Sequence, residues 1–513
     1  MDIMKKFVFI LAVVPVIFVI VNCRDGSVPP PPSTRKFWAY NMDTKKFYQV
    51  DAAKLAENSI CEVWAESGSG VTPATANSVA NAYYSAIYPK MMNTFGYTVN
   101  DKDLGKVNIM EIAHWLPTGK TSGAKLTILL LDIKDGYSSG GDAYVGGYFH
   151  SVNLYKKDPA DNRKYSNELD MIYVDTYPSV PGSDSSNETI AHEMQHLMNF
   201  VSTFLFRNDP MDTWIDEGLS TAAEWVYTGK HPEVRWKYYI EDRSNLIKKG
   251  NNFYIWDNHG SESPLANLDD YATAYLFFQY LRLQSVEPKD IYYDILTSKF
   301  SNYQAVTTAT NINNTHKNNW QLLLRDWHAA NYTNAASGPY GYKDDATLKQ
   351  VKAPMVPAGT TSVNLYPGEG VYSKTTTAES VPSGSGNIRY AGLSSSGATP
   401  NDSTGFANGA RLTYNVDTNK EGSFATGNTT GIAPSMGISI TDISGSVQID
   451  PYKFTGPFKV DAGYFLRRNG DSGMPDNEIM RNVSGTNNGR TIDETNITLK
   501  VDRSTIERVF IYE

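Results

Sequence analysis

The spacing of apolar positions changes its period several times along the chain. Residues 36–40 and 61–65 alternate like short strands, and the Gly- and Pro-containing stretch 68–73 breaks the pattern. Over 74–95 the period lengthens. Val79, Tyr83, Ile87 and Met91 recur at helical spacing, which predicts a packed helix that Gly96 stops. Residues 125–132 and 171–175 are short apolar runs, the pattern of strands covered on both faces and lying in one sheet. Between them, 146–155 reads as a strand on the edge of that sheet.

From Ser185 to about Asn334 helical spacing dominates, in the segments around His192, around Glu217, over 270–283 and over 320–331. Past Ala335 the chain turns to Gly, Ser, Thr and Asn, with short alternating runs such as 363–366, 437–440 and 509–512. No repeat at solenoid or propeller spacing interrupts this. Strands followed by helices predict an α+β domain, and the change of pattern predicts a separate all-β C-terminal region. The expected division is a leader over 1–22, a linker over 23–35, an N-terminal β segment over 36–72, a main domain over 73–335 and a β-rich region over 336–513.

The first of these segments concerns destination. Lys5 and Lys6 precede an apolar run from Phe7 to Val21 that contains Pro15 and ends at Asn22 and Cys23. That run is shorter than the roughly 20 residues a spanning helix needs, so a signal peptide is expected. Cys23 followed by a Pro-rich spacer resembles a bacterial lipoprotein, which makes Cys23 the candidate lipidation site and the membrane a partner through that anchor. The residue before it, Asn22, is not the usual small one, so release as a secreted protein stays open. Either way the protein is expected to be exported, at a bacterial outer membrane or cell surface or beyond it. Once Cys23 is acylated or removed only Cys61 remains, and no internal disulfide framework is available. Cys61 itself alternates like a buried strand residue.

Composition narrows the partners. With 513 residues, a net charge of -9, a pI near 5.5 and dispersed Lys and Arg, the chain offers no basic footprint for nucleic acid. Its aromatic content, 12% with 33 Tyr, suits a folded exported protein rather than a disordered one.

The chemistry concentrates at His192-Glu193-Met194-Gln195-His196, an HExxH pattern. Ser185 to Glu188 has the form of a capping box that starts a helix. On that helix Ile190, Met194, Leu197, Met198 and Val201 form an apolar stripe, with His192 and His196 one turn apart on the other side. Two imidazoles at that spacing reach one zinc ion and leave room for a carboxylate and a water. Glu193 then stands beside the metal as a general base. A second helix over 212–226 places Glu217, Thr221 and Glu224 on one face, so Glu217 is the candidate third ligand.

At this point the residues resemble gluzincins, metallopeptidases whose third ligand is a Glu on a second helix. Trp214-Ile215-Asp216-Glu217-Gly218-Leu219 looks like their W-[LI]-[ND]-E-G pattern, with Asp216 where Asn is common. Together with 168–175 and 189–199 it is similar to the hyicolysin family of secreted bacterial metallopeptidases, over roughly residues 120–285. The resemblance implies a zincin-like fold for the main domain, one catalytic zinc held by His192, His196 and Glu217, and Glu224 as a partner orienting a metal histidine. It also implies protein or peptide substrates. The Gly-x-Met-Glu-Asn segment of related aminopeptidases is missing, which favours an endopeptidase. The segment 270–277 resembles the helix that carries a catalytic Tyr, making Tyr271 the candidate oxyanion partner, with Tyr275 and His259 as rivals. Gly146, Gly147 and Tyr148 are candidates for binding substrate as an added strand. Two other classes fit the same chain, a surface adhesin on a protease-like scaffold and a zinc hydrolase of a non-peptide substrate. Calcium binding, cleavage preference and oligomeric state are set by no pattern found here.

Overall fold

The computed structural model describes most of residues 33–420, leaving out 99–104, 108–124 and several shorter stretches; beyond 420 it describes only short strand segments. The leader, Cys23 and most of the linker therefore lie outside the described residues, as does the run 437–440. Among the described residues no helix is long and apolar enough to cross a membrane.

Six strands make one mixed sheet: β1 (Thr34–Asn41), β2 (Lys46–Glu57), β3 (Cys61–Glu66), β4 (Leu126–Leu131), β5 (Gly147–Phe149) and β6 (Met171–Asp175), in the order β1-β2-β3-β4-β6-β5. β3, β4 and β6 are parallel neighbours, and their residues are almost wholly buried because helices and loops cover both faces. The two apolar runs read as central strands are β4 and β6. The N-terminal β segment joins the sheet of the main domain, since β3, the partner of β2, pairs in parallel with β4. β2 itself, KFYQVDAAKLAE, went unread because its alanines and charges carry little strand propensity. Cys61 begins β3 fully buried, and burial pushes its thiol up to about 12. It packs as a small hydrophobe.

Helices follow. α1 (Pro73–Ala82) and α2 (Tyr88–Thr94) run on through a π turn at Tyr83–Ile87, so the single expected helix is present with a local widening. α3 (Asp184–Phe200) and α4 (Thr213–Thr228) carry the metal-ligand pattern. α5 (Glu233–Glu241), α6 (Ala266–Gln284), α7 (Ile291–Leu296), α8 (Tyr303–Ala309) and α9 (Trp320–Thr333) build a helical half around them. The architecture is α+β, as expected.

In the C-terminal region β7 (Ser362–Leu365) pairs with β11 (Ala425–Asn428), and β8 (Gly370–Lys374), β9 (Ile388–Leu393) and β10 (Ala410–Asn415) form an antiparallel sheet. This part is β-rich. It is not isolated, because Tyr372, Leu393, Leu412 and Tyr414 join Trp327, Ala330 and the other helices in one continuous core.

Candidate metal centre

The site is built on α3, whose start differs from the expectation by two residues. Ser183, not Ser185, is the N-cap; its hydroxyl accepts from the Ser186 N–H after Gly182 turns the chain at a φ of 84°. Ile190, Met194, Leu197, Met198 and Val201 are all fully buried, so the apolar stripe anchors the helix and fixes its rotation. Burying each is worth about 1.5–3 kcal/mol.

α4 supplies the rest. Trp214 inserts among Phe253, Tyr254, Phe277, Phe278 and Trp320, and Gly229 ends the helix in the left-handed conformation at a φ of 69°. Gly218 has a packing reason: a Cβ there would stand 2.1 Å from Phe278 Cε2. Its missing side chain lets α6 press against α4 immediately beside Glu217.

These two helices bring three atoms together. His192 Nε2 and His196 Nε2 are 3.1 Å apart, and Glu217 Oε2 lies 3.4 Å from each. Among the described residues this is the one trio of His, Cys, Asp or Glu side chains whose ligand atoms converge within 4.8 Å. The other nitrogen of each ring is engaged: His192 Nδ1 donates to Glu224 Oε1 at 2.9 Å, and His196 Nδ1 donates to Asp216 Oδ1 at 2.9 Å. Carboxylates only accept, so each Nδ1 carries a proton, and in the neutral ring that can bind an ion Nε2 then faces inward as a lone pair. Glu217 is buried among donors too distant or poorly aimed to satisfy Oε2; burial raises its carboxyl, but the His196 charge and the approach of both imidazoles hold it well below the ordinary range, and Tyr271 reaches the same carboxylate. Three inward acceptors with nothing between them repel one another and are costly to bury. A cation answers that cost, and atoms about 2.0–2.1 Å from one tetrahedral ion stand about 3.3 Å from each other. The residues therefore fit a zinc-type ion.

Carboxylates behind the ligands complete the arrangement. Glu224 is gripped by Arg235, which donates from Nε to Oε2 at 3.1 Å and from Nη2 to Oε1 at 2.5 Å. Burial raises the Glu224 carboxyl, but the Arg235 charge and the His192 hydrogen bond outweigh it and hold the group below its ordinary range. Ser220 Oγ also reaches His196 Nδ1, at 3.1 Å. The Glu193 carboxyl is raised by burial, with the two histidines opposing, and it accepts from the Phe149 N–H.

That last bond joins the site to the sheet. β5 is the edge strand, antiparallel to β6, and Asp175 N donates to Gly146 O. Bonded and unbonded pairs alternate in an antiparallel ladder, so Tyr148 faces β6 while Gly147 and Phe149 turn their backbone groups outward. The edge strand is shorter than expected, ending at Phe149 before a 3-10 turn over Ser151–Leu154. Gly147 sits where a Cβ would meet Thr189 Cγ2 at 2.6 Å and Glu193 Cγ at 3.1 Å, which is why glycine is needed there. Tyr148 does not line the cleft. Its ring stacks on Tyr173 at 4.2 Å on the other face of the sheet, and its hydroxyl accepts from Tyr40 N.

Of the three oxyanion candidates, Tyr271 is the one brought to the centre. Its ring lies 6.2 Å from that of His192 and 4.9 Å under the Arg235 guanidinium, with Trp256 edge-on at 4.9 Å. Tyr275 is instead hydrogen-bonded to His231 Nδ1 at 2.6 Å, and His259 is held between Glu262 and Glu369. Sequence reasoning passed over Asp216, Arg235 and the Phe149 N–H. Asp216 was visible inside the motif; Arg235 was one cation among many, and a backbone N–H leaves no residue-type signal.

Among characterised proteins the chain is similar to the neutral metalloprotease ShpI of Staphylococcus hyicus, 29% identical over an alignment of 358 residues that covers 68% of this chain and 73% of that protein. The similarity supports a metalloprotease. No family model matches the chain.

Proposed function

We propose that this chain is a zinc-dependent endopeptidase of the gluzincin type, close to hyicolysin, that hydrolyses extracellular protein. The observation carrying this reading is the inward convergence of His192 Nε2, His196 Nε2 and Glu217 Oε2 with Glu193 beside them under an exposed strand edge. Bound by those three side chains, zinc supplies a Lewis acid that polarises a carbonyl and makes water nucleophilic at neutral pH.

The chain's own groups account for the remaining work. Glu193, aligned by the Phe149 N–H, takes the proton from the attacking water and returns it to the amine nitrogen as the peptide bond breaks. The outward backbone groups of Gly147 and the Phe149 carbonyl hold the peptide as an added strand, so recognition falls on main chain common to all proteins. Tyr271 stands ready to donate to the carbonyl oxygen as charge develops there. Glu224 and Asp216 keep the two imidazoles in the tautomer that presents Nε2. We place the protein outside the cell, membrane-anchored where Cys23 is acylated. The β-rich C-terminal region serves as packing for the helical half.

Glu193→Gln should lower peptide hydrolysis by about 10²–10⁴-fold while zinc content stays near one per chain. Glu217→Ala should lose the zinc. Product mass spectrometry on mixed peptides, run beside metal analysis, checks both. Bound zinc with no cleaved bond in the wild-type protein would instead favour the adhesin, and turnover of a non-peptide carbonyl compound alone would favour the other hydrolase.

A further inference from the structure

Large apolar side chains exposed to solvent are few among the described residues: Tyr84, Tyr144, Tyr177, Val180 and Val234. Three of these five, at 42%, 53% and 67% exposure, belong to two loops that meet at the start of the edge strand. Tyr137 joins them, its ring 5.8 Å from Tyr144 and 5.9 Å from Tyr177. Isolated exposed apolar residues need no explanation, whereas a cluster beside a cleft does.

The described ends of these loops are held in place. Asp135 accepts from the N–H groups of Tyr137 and Val145 at 2.8 and 2.7 Å, and Asp175 accepts from Ile133 and Ser179 at 3.0 and 3.2 Å. The cluster therefore has a defined position relative to the metal centre. Tyr144 Cε2 is 3.8 Å from where a Gly146 Cβ would stand, on the same side as Thr189, which lies one turn before Glu193 on α3. Tyr144 thus sits on the cleft side of the sheet, three residues before Gly147.

We propose that Tyr144 and Tyr177, backed by Tyr137, form a subsite for a large apolar side chain within three residues after the cleaved bond. This rests on the peptidase reading above. A peptide added antiparallel to β5 runs its C-terminal part from Glu193 towards Tyr144, advancing about 3.4 Å per residue, so its second or third residue reaches the cluster. Aromatic faces bind an aromatic or branched apolar side chain and reject a charged one, which would lose its water without gaining a partner. The backbone contacts at Gly147 and Phe149 give affinity for any peptide, and the tyrosine cluster adds the preference.

The test compares the zinc-loaded wild-type protein with Tyr144→Ala, Tyr177→Ala and Tyr144→Phe, using Tyr84→Ala as a surface control. A peptide-library digest should show aromatic or branched apolar residues enriched within three positions after the cut. With a matched pair of peptides bearing Phe or Ser there, each Ala variant should lower kcat/KM for the Phe peptide by about 10-fold, mainly through KM, and leave the Ser peptide unchanged. Tyr144→Phe, which keeps the ring, should retain the preference. Cleavage by the wild type with no such enrichment, or full preference in both Ala variants, overturns the subsite while leaving the peptidase reading standing. Zinc-loaded wild type that cleaves nothing in the library overturns the peptidase reading and the subsite with it.

Discussion

Asp216 shows how one carboxylate does two jobs for the centre. It lies in the first turn of α4 next to Glu217, and its Oδ1 accepts from His196 Nδ1 at 2.9 Å, which fixes that ring's orientation with Nε2 facing inward. Arg235 does the equivalent from a distance, since its fork on Glu224 locks the carboxylate that holds His192, and its face covers Tyr271. Removing such partners typically costs about 10–100-fold in metal affinity. Asp216→Ala and Arg235→Ala should each weaken zinc binding by about that factor, read by competition with a chromophoric chelator. Arg235→Lys should recover little of the loss, because an ammonium keeps the charge without the two parallel hydrogen bonds. Wild-type affinity in both Ala variants would mean that Glu224 and Asp216 orient nothing.

At the level of elements, the centre depends on how closely α4 approaches α6 and β5 approaches α3. Glycine in a helix is ordinarily worse than alanine by about 1 kcal/mol, so Gly218→Ala would stabilise α4 if space allowed. Space does not allow it. The new methyl would meet the fully buried Phe278 ring at 2.1 Å, and overpacking of that kind costs about 1–3 kcal/mol. Gly218→Ala should therefore lower the urea midpoint and, by shifting Glu217, weaken zinc binding; adding Phe278→Leu should recover part of both. A higher midpoint for Gly218→Ala would refute the close approach. The helices and central strands were legible because each has a period that burial enforces. The length of β2 and the early end of β5 were not, because pairing with neighbours rather than local pattern decides where an alanine-rich strand or an edge strand stops.

For the whole molecule, the separation into a main domain and a C-terminal β region is less sharp than composition suggested. Ala56 of β2, Trp327 of α9 and Tyr414 of β10 belong to one core. A buried ion pair also crosses the boundary: His259, before α6, meets Glu369, before β8, at 2.7 Å, with Glu262 on its other nitrogen and Asp269 nearby. Burial alone would lower the imidazole, but hydrogen bonds and charge from Glu369 and Glu262 win and raise it to about 9. A group whose folded pKa lies above its unfolded value of about 6.5 binds protons more strongly in the folded state. Its stabilisation is then complete below about pH 6.5 and is lost as pH rises through about 9. The difference in urea midpoint between the wild type and His259→Gln should shrink from pH 6 to pH 9.5; a constant or growing difference would show that His259 is neutral in the fold.

By itself the sequence determined the candidate metal donors, their place on two helices and the α+β class, because i and i+4 imidazoles and an apolar stripe are local facts that any fold of this chain must respect. On the orientation of the Tyr148 side chain, which turns away from the centre, the local pattern is silent, since which face of an edge strand meets the cleft depends on its register with β6. Tertiary structure likewise decided that Tyr271 rather than Tyr275 or His259 reaches His192, and that Asp216, Arg235 and the Phe149 N–H surround the ligands. Those choices come from packing between segments distant in sequence, where a buried proton donor or acceptor must find its partner and no spacing rule records which one it finds.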